Sequence, residues 1–393
     1  AKFSAVSLGK EISTGDNEWT KTERKSGYQY QLEAVFKAKR VGWERGVVGS
    51  HIVRGNHIYN CGQNAIVGHM GCAFSTIVGN RIHDIGLKRE FFGWEVAGIK
   101  FHAALDTVIE GNDVHDCSLG LWLDWQAQGT RLTRNVFHHN VRDLMVEVSH
   151  GPYVVDNNIF ASPIMIQNFA QGGAFVNNLI CGSIDLVTVP DRSTPYHFPH
   201  STDVAGTAIV SGGDERFSGN IFAPQAEKPP FGAFELESYR GYPQSMPEYI
   251  ENLHRSYAQS TQGGGERNPV QPLYAWNNVH VAPARVSPNE SAPVPIEQRM
   301  PLTIVDQGDV VYLECDVPEA LAGLTFPVVT TSDLGMPRIV EEPYEQADGT
   351  PYRFDTDMLG ERVEESRRPG PLASLAEGRQ RIAVWARPTS SSC

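Results

Sequence analysis

The 393-residue sequence has little cysteine, no excess of basic residues and no long apolar run. Its six cysteines are too sparse for a disulfide scaffold, and no Cys-x-x-Cys or Cys/His cluster has zinc-site spacing. The chain has 33 Lys and Arg and 46 Asp and Glu, so its net charge is −13. This charge disfavours nucleic acid and anionic membranes as partners. No run of about 18 apolar residues is present to span a membrane, and residues 1–10 lack a signal-peptide pattern. We expect reduced thiols and a cytoplasmic location, with secretion as the alternative because the sequence does not start with Met.

What is present is the composition of a folded protein. Hydrophobic residues make up 40% of the chain and charged residues 20%, enough apolar material for a substantial core. The acidity is uneven, since residues 301–393 hold 16 acidic and 8 basic side chains. The first 300 residues are therefore close to charge balance, which suits a neutral ligand.

A short pattern recurs through the first half of the chain. An apolar residue is followed by two or three small or polar residues, then by Asn-x-Ile, Val, Leu or Phe. From Asn56 the steps between copies are 24, 32, 23, 22 and 20 residues, and a looser copy ends at 277–279. The six copies are 53–58, 77–82, 109–114, 132–137, 154–159 and 175–179.

Each copy holds short strands of alternating apolar residues broken by Gly, Asn and Asp. A repeat of about 22 residues with several short strands is typical of one coil of a parallel β-helix, in which each coil buries its inward face against its neighbours. The recurrent Asn is expected at a turn, where it tolerates a left-handed conformation and bonds its stacked copies. The alternatives are a β-sandwich with coincidental Asn turns, or leucine-rich repeats, whose Leu-x-x-Leu-x-Leu frame is absent. The sequence predicts an all-β fold: a right-handed parallel β-helix with a C-terminal β-rich segment.

Three regions follow from this pattern. Residues 1–48 are predicted to be strand-rich early coils, 49–282 the β-helix domain with long excursions at 183–275, and 283–393 a linker and a C-terminal β-rich segment. The linker is the Pro-rich stretch 283–295.

Two features interrupt the predicted coils. The long step after Asn80 places a loop at 88–95, and long solenoid loops commonly carry binding residues. Ser245 and Glu248 open a predicted helix in the excursion region, with an apolar face formed by Tyr249, Ile250, Leu253 and Tyr257.

Aligning the coils by their Asn positions predicts a polar ladder on one sheet face. Alternate residues of 98–102, 120–124 and 143–147 face inward, so the residues between them face out. Asp124 and Glu147 both lie twelve residues after their Asn and should be vertical neighbours. We expect His102 one coil below Asp124, His69 two coils below it, and Gln167 above Glu147.

Neighbouring strands lie about 4.7 to 4.9 Å apart, so the two carboxyl groups should be about 5 Å apart. Retaining glycosidases need about 5 to 5.5 Å between nucleophile and acid/base, whereas inverting enzymes need about 6.5 to 9.5 Å. Two carboxyls this close cannot both ionise comfortably, which raises the pKa of one and suits it to be a proton donor. The ladder predicts the retaining geometry.

Aromatic and polar residues surround this pair. Tryptophan rings stack on sugars, so Trp122 and Trp125, with Trp94 in the loop, are candidate substrate contacts. Groups that could hold sugar hydroxyls are Glu95, His69, His102, Arg142, His150 and Gln167. The alternative is that the acids and histidines are solvated surface, that Arg142 forms a local ion pair, and that the Trp rings are capped by the C-terminal segment.

Several stretches resemble one enzyme family. They include Trp-Leu-Asp-Trp at 122–125 and Glu-Val-Ser-His-Gly-Pro at 147–152, together with 62–69, 88–91 and 97–104. These stretches are similar to the β-xylosidases of glycoside hydrolase family 120. The resemblance implies a retaining enzyme that removes xylose from the non-reducing ends of xylo-oligosaccharides, with Asp124 as the nucleophile and Glu147 as the general acid/base. It implies no metal or organic cofactor.

The resemblance also differs in one respect. Family members are longer at the N-terminus, so part of the site is expected to come from an N-terminal portion of the same protein or from a homo-oligomer. Two other functions are compatible with the residues. One is a pectin-class β-helix hydrolase or lyase, whose Asn-Thr-Asp and Asp-Asp motifs are not visible; the other is a non-catalytic sugar-binding solenoid.

Overall fold

The computed structural model describes residues 1–10, 29–90, 95–261 and 269–388. Three sheets wind around one axis, and each coil adds one strand to each sheet. Apart from one antiparallel strand at the end of the first sheet, neighbouring strands in these sheets run parallel. This confirms the predicted parallel β-helix.

We call the three sheets sheet 1, sheet 2 and sheet 3. Sheet 1 contains Val6–Lys10, Asn64–His69, Ala97–His102, Leu121–Asp124, Leu144–Glu147, Ile164–Phe169, Ser183–Leu186 and the antiparallel Ala233–Phe234. Sheet 2 contains Ile52–Arg54, Thr76–Val78, Val108–Glu110, Thr130–Thr133, Tyr153–Asp156, Gly173–Val176, Arg216–Ser218, Tyr274–Trp276 and Glu290–Ser291. Sheet 3 contains His57–Cys61, Arg81–Ile85, Asp113–Cys117, Val136–His138, Ile159–Phe160, Leu179–Ile180, Ile221–Phe222, Val279–Val281 and Val294–Ile296.

The interior of the helix is apolar and stacked in rows. The alternate residues predicted to face inward are fully buried there, among them Ile99, Leu121 and Leu144 on sheet 1. Aromatic rows strengthen the stack, as in Phe175 and Phe217, whose ring centroids are 4.5 Å apart. Such parallel pairs contribute roughly 0.5–1.5 kcal/mol beyond the burial of their area.

A ladder of Asn side chains runs through the turns between sheets 2 and 3. Each amide oxygen accepts from the backbone N–H and side-chain amide of the Asn one coil below. The rungs are Asn56, Asn80, Asn112, Asn135, Asn158, Asn178, Asn220 and Asn278.

The ladder differs from the prediction in two details. In the last two copies the predicted steps end at Asn157 and Asn177, whereas the rungs are Asn158 and Asn178. The left-handed residue is the one before the rung, as at Asn157 and Asn177, both with φ of 55°. This leaves each rung free to bond in both directions along the stack. Asn220 is a rung inside the excursion region, where long insertions hide the repeat from the sequence.

Two predicted segments have a different structure. Gln29–Arg40, in the region predicted to be strand-rich, is a helix. Ala34, Val35 and Ala38 on one side of this helix are buried, so packing fixes its conformation. Within the Pro-rich stretch 283–295, Glu290–Ser291 and Val294–Ile296 continue the stacked strands instead of forming a linker.

The excursion region holds a hairpin, a 3-10 helix and an α-helix. The hairpin strands are Val189–His197 and Val204–Val210, the 3-10 helix is Glu235–Tyr239, and the α-helix is Met246–Thr261. The Glu248 backbone N–H donates to Ser245 Oγ at 3.3 Å, which confirms the predicted helix start. Only part of the predicted apolar face is covered: Tyr249 is buried, whereas Ile250 and Tyr257 are exposed.

The C-terminal segment covers two of the three outer faces. Its antiparallel sheet, Leu302–Asp306, Val310–Val317 and Gly378–Ala386, packs its apolar side chains on sheet 3. Residues around Tyr344 and Phe354 pack on sheet 2. The remaining elements are Glu319–Ala322 and Thr331–Leu334, both helical, and the paired strands Phe326–Pro327 and Ser366–Arg367.

The predicted ladder lies on the outer face of sheet 1, the face that the C-terminal segment leaves uncovered. Part of that face is covered by the hairpin, through Val189 and Val210. Within the described ranges, no helix has the length and apolar character needed to cross a membrane.

Candidate active site

The strand register of sheet 1 places the two predicted acids side by side. Asp124 is directly opposite Glu147 on the next strand and opposite His102 on the strand before it. His69 is opposite His102 one coil further away, with ring centroids 4.8 Å apart. The twelve-residue offset in the sequence therefore gives the observed register, because the two intervening segments have equal length.

The Asp124 carboxylate is buried and held by one of its oxygens. Lys100 Nζ lies 2.8 Å and His102 Nε2 3.0 Å from Asp124 Oδ2. Among the residues that the structure describes, the other oxygen, Oδ1, has no hydrogen-bond partner. Anchoring one oxygen fixes the carboxylate and leaves the second available for reaction.

Glu147 has a different environment. Burial, followed by the neighbouring Asp124 carboxylate, raises the pKa of Glu147, while Arg192 and Lys100 oppose this rise. Arg192 Nη1 forms an ion pair with Glu147 Oε1. Glu147 thus holds its proton to higher pH than an ordinary glutamate, as a proton donor requires.

Lys100 is the centre of the polar cluster. Its side chain is fully buried, forms an ion pair with Glu95, lies 3.0 Å from His102 Nε2, and sits over the Trp122 ring at 4.2 Å from the centroid. Burial raises the pKa of Glu95, but contacts with His102 and Lys100 outweigh this and lower it to about 2. Glu95 is consequently a fixed anion beside the candidate nucleophile.

Glu95, His102 and Asp124 also have ligand-type atoms within 4.8 Å of one another. The Lys100 ammonium contacts the carboxylates of both Glu95 and Asp124. The ammonium also lies 3.0 Å from His102 Nε2, so it contacts all three candidate donors and takes the central position that a metal ion needs. The arrangement therefore suits an ion-paired acid site better than a metal site.

The two tryptophans beside Asp124 are packed against protein. Trp122 is buried among Ala97, Leu119 and Met145, with Phe169 at the edge. Trp125, on a positive φ of 47°, packs under the hairpin against Val189 and Val210. The hairpin, and not the C-terminal segment, supplies this cover.

The remaining sequence-predicted residues lie further out. Gln167 is opposite Met145, and Phe169 takes the place opposite Glu147, so Gln167 is two residues away from the predicted position. The Gln167 side chain accepts from Arg142 and donates to Asp185 at 2.9 Å. Arg142 and Gln167 therefore form a polar rim above Trp122 and Met145.

His150 is placed beneath the hairpin and away from the open face. Its Nε2 lies 3.2 Å from the Thr194 carbonyl oxygen, and Gln171 Nε2 lies 2.9 Å from its Nδ1. Burial lowers the pKa of His150 to about 4. Both ring nitrogens are engaged by protein, which fits a role in holding the hairpin. Trp94 lies outside the described residues.

A cavity opens on the exposed side of the cluster. Its volume is about 410 Å³, and its lining includes Glu95, His102, His69, Gln63 and Asn64. This volume is within the range of small-molecule sites. The cavity meets the ladder at His102, the immediate neighbour of Asp124.

Two residues of the candidate site were not identified from the sequence pattern. Arg192 comes from the hairpin, 45 residues after Glu147, and no periodic offset links the two. The sequence places Lys100 on the outward face of its strand, but its contact with Asp124 depends on its side chain reaching diagonally to the adjacent strand. Position on the ladder alone was the only signal for Lys100.

Comparison with known proteins agrees with the β-helix fold. Residues 37–180 match the model of the right-handed β-helix region. A solved structure of XylC in complex with xylose is 46% identical to this chain, with a TM-score of 0.89 over 98% of it. The predicted resemblance to the family 120 β-xylosidases is confirmed. The chain spans 60% of the length of that XylC chain. None of the curated proteins searched matches the sequence.

Proposed function

We propose that this chain carries the catalytic centre of a retaining β-xylosidase that releases xylose from the non-reducing ends of xylo-oligosaccharides. The observation that carries the proposal is the direct register of Asp124 and Glu147 on adjacent parallel strands. Strand spacing gives a separation of about 5 Å, which leaves no room for a water between the carboxyls and favours double displacement. The similarity to a xylose-bound structure supports xylose as the sugar.

In the first step Asp124 Oδ1 attacks the anomeric carbon. A bond forms between this oxygen and the sugar while the bond to the leaving oxygen breaks, and Glu147 gives its proton to that oxygen. The raised pKa of Glu147 suits it to the role of proton donor. The product is a xylosyl ester of Asp124 and a free alcohol or shortened oligosaccharide.

In the second step water replaces the aspartate. Glu147, now a carboxylate, takes a proton from the water as its oxygen attacks the anomeric carbon, and the ester bond to Asp124 breaks. Lys100 and His102 lie against the Asp124 carboxylate as it leaves. Two inversions return the original configuration at the anomeric carbon.

The buried aromatic and charged groups have a consistent role in this scheme. Trp122 and Met145 form an apolar wall beside the acids, which lowers the local dielectric and strengthens the charged contacts. Glu95 is ionised and adjoins the cavity, where it can accept hydrogen bonds from sugar hydroxyls.

The first test is hydrolysis of p-nitrophenyl β-xyloside and xylobiose by the wild type, Asp124→Asn and the control Asp185→Asn. Asp185 is a carboxylate on the same sheet that bonds Gln167 and does not touch Asp124. We expect loss of turnover only in D124N, with an unchanged circular dichroism spectrum. Full activity of D124N contradicts the assignment, and hydrolysis of polygalacturonate in place of the xylosides indicates a pectin-class enzyme.

A further inference from the structure

A second cluster of titratable side chains lies on sheet 3, away from the acids of sheet 1. Imidazole rings from successive coils are stacked there, with centroids 4.8 Å apart for His83 and His115 and 4.7 Å apart for His115 and His138. The C-terminal antiparallel sheet packs on this side of the β-helix. The proposed hydrolysis uses none of these groups.

Asp113 completes a compact set with two of the histidines. It is two residues before His115 on the same strand and face, and His138 is directly opposite His115 on the next strand. Asp113 Oδ1 lies 3.0 Å from His138 Nε2, and Asp113 Oδ2 lies 3.7 Å from His115 Nε2. One donor atom from each of the three residues falls within 4.8 Å of the others.

Two of these donor atoms are left unsatisfied by the protein. Asp113, His115 and His138 are 0%, 4% and 1% exposed, and within the described part of the chain Asp113 Oδ2 and His115 Nε2 have no hydrogen-bond partner. A buried polar atom without a partner costs free energy. The two atoms lie 3.7 Å apart, which points to a ligand that binds both of them.

Arg81 contributes charge but not this ligand. Its Nη1 lies 3.1 Å from Asp113 Oδ2 in an ion pair that lacks hydrogen-bond geometry. The same guanidinium also pairs with Asp306 and donates to the Gly308 carbonyl oxygen. Arg81 therefore has its own partners in the C-terminal sheet. Its guanidinium only donates hydrogen bonds, so it cannot accept one from His115 Nε2.

We propose that Asp113, His115 and His138 form a binding site for a divalent transition-metal ion of the zinc type. Two imidazole nitrogens and one carboxylate oxygen are a common zinc donor set, with the ion about 2.0 to 2.2 Å from each ligand and a water at the fourth position. Tetrahedral ligands at those lengths are about 3.3 Å from one another. Asp113 Oδ2 and His115 Nε2, 3.7 Å apart, are close to that separation, and His138 Nε2 lies 3.0 Å from the other carboxylate oxygen, Oδ1. An ion lies near the plane of each imidazole that binds it, so the nearly parallel rings of His115 and His138, 9° apart, have to tilt for both to bind.

The position of the site gives it a structural role. His115 Nε2 is 3.8 Å from Asp306 Oδ2, which belongs to the strand Leu302–Asp306 of the C-terminal sheet. An ion at Asp113 competes with Arg81 for this carboxylate and leaves the guanidinium to pair with Asp306 of the C-terminal sheet. Metal binding thereby strengthens the contact between the β-helix and the C-terminal segment.

The test uses the whole chain, stripped of metal with a chelator and titrated with Co²⁺ as a spectroscopic probe for zinc. We expect one equivalent of four-coordinate Co²⁺, displaced by Zn²⁺, in the wild type, in D124N and in His83→Gln. His83→Gln is the matched control because it removes a ring of the same stack outside the donor set. His115→Gln and Asp113→Asn are expected to lose this signal.

Thermal unfolding gives an independent readout. Zn²⁺ is expected to raise the melting temperature of the wild type and H83Q, and to leave that of H115Q and D113N unchanged. Absence of the Co²⁺ bands in the wild type overturns the proposal. So does binding that survives in D113N and H115Q, or that disappears in D124N, since the ion then belongs to another group. If one variant does not fold, the other carries the comparison.

Discussion

The Asn ladder should make a central rung far more costly to remove than a terminal one. The Asn135 side chain makes five hydrogen bonds: its Nδ2 donates to the carbonyl oxygens of Ile109 and Thr133 and to Asn158 Oδ1, and its Oδ1 accepts from the backbone N–H and the side chain of Asn112. Asn135→Ala removes all five. The substitution leaves the Asn112 backbone N–H without a partner and takes one donor from each of two carbonyl oxygens, and all three groups are buried.

The size of the effect follows from those groups. A buried backbone group that loses its partner costs about 1 to 3 kcal/mol, so three groups near the low end give about 4 kcal/mol. For a chain of 393 residues the unfolding entropy is about 0.8 kcal/mol per kelvin, and the melting temperature should fall by about 5 °C.

Asn56 provides the control. It is the exposed first rung, and among the described residues its side chain bonds only the Arg54 carbonyl oxygen and Asn80 Oδ1. Asn56→Ala should lower the melting temperature by about 1 °C, since water replaces its bonds. The two variants are compared by scanning calorimetry at one scan rate. Equal shifts for N135A and N56A would refute the ladder as a main source of stability.

Two further changes probe the acid site. Arg192→Gln removes a cation that lowers the pKa of Glu147, so this pKa rises and the loss of activity at high pH moves to higher pH. Arg142 bonds Gln167, so the control Arg142→Gln should leave the high-pH limb of the pH–rate profile in place. Lys100→Met removes a buried donor to Asp124, and kcat on an aryl xyloside should fall about 10²- to 10³-fold without loss of the fold; an unchanged kcat in K100M would exclude Lys100 from the reaction.

The coils were predictable because their information is local and repeated. Alternating apolar residues fix which face of each strand is buried, and equal spacing from the Asn rung brings Asp124 and Glu147 into register. A single coil length decides this register, so no long-range contact had to be known. The same logic failed by two residues for Gln167, whose coil is shorter.

Other features depend on contacts that the repeat does not encode. Asn220 is separated from its neighbouring rungs by 42 and 58 residues, so inserted segments break the period. Arg192 reaches Glu147 only because a hairpin folds back over sheet 1. Gln29–Arg40 is helical because Val35 and Ala38 pack on an apolar surface, although residues 1–48 were predicted to be strand-rich.

The central claim, double displacement by Asp124 and Glu147, is tested most directly by the configuration of the first-formed sugar. Proton NMR during hydrolysis of an aryl β-xyloside distinguishes the two anomers before they interconvert. The account predicts that β-xylose appears first, because two successive inversions retain configuration. First appearance of α-xylose would contradict it and would require a water between carboxyls that the strand register holds about 5 Å apart.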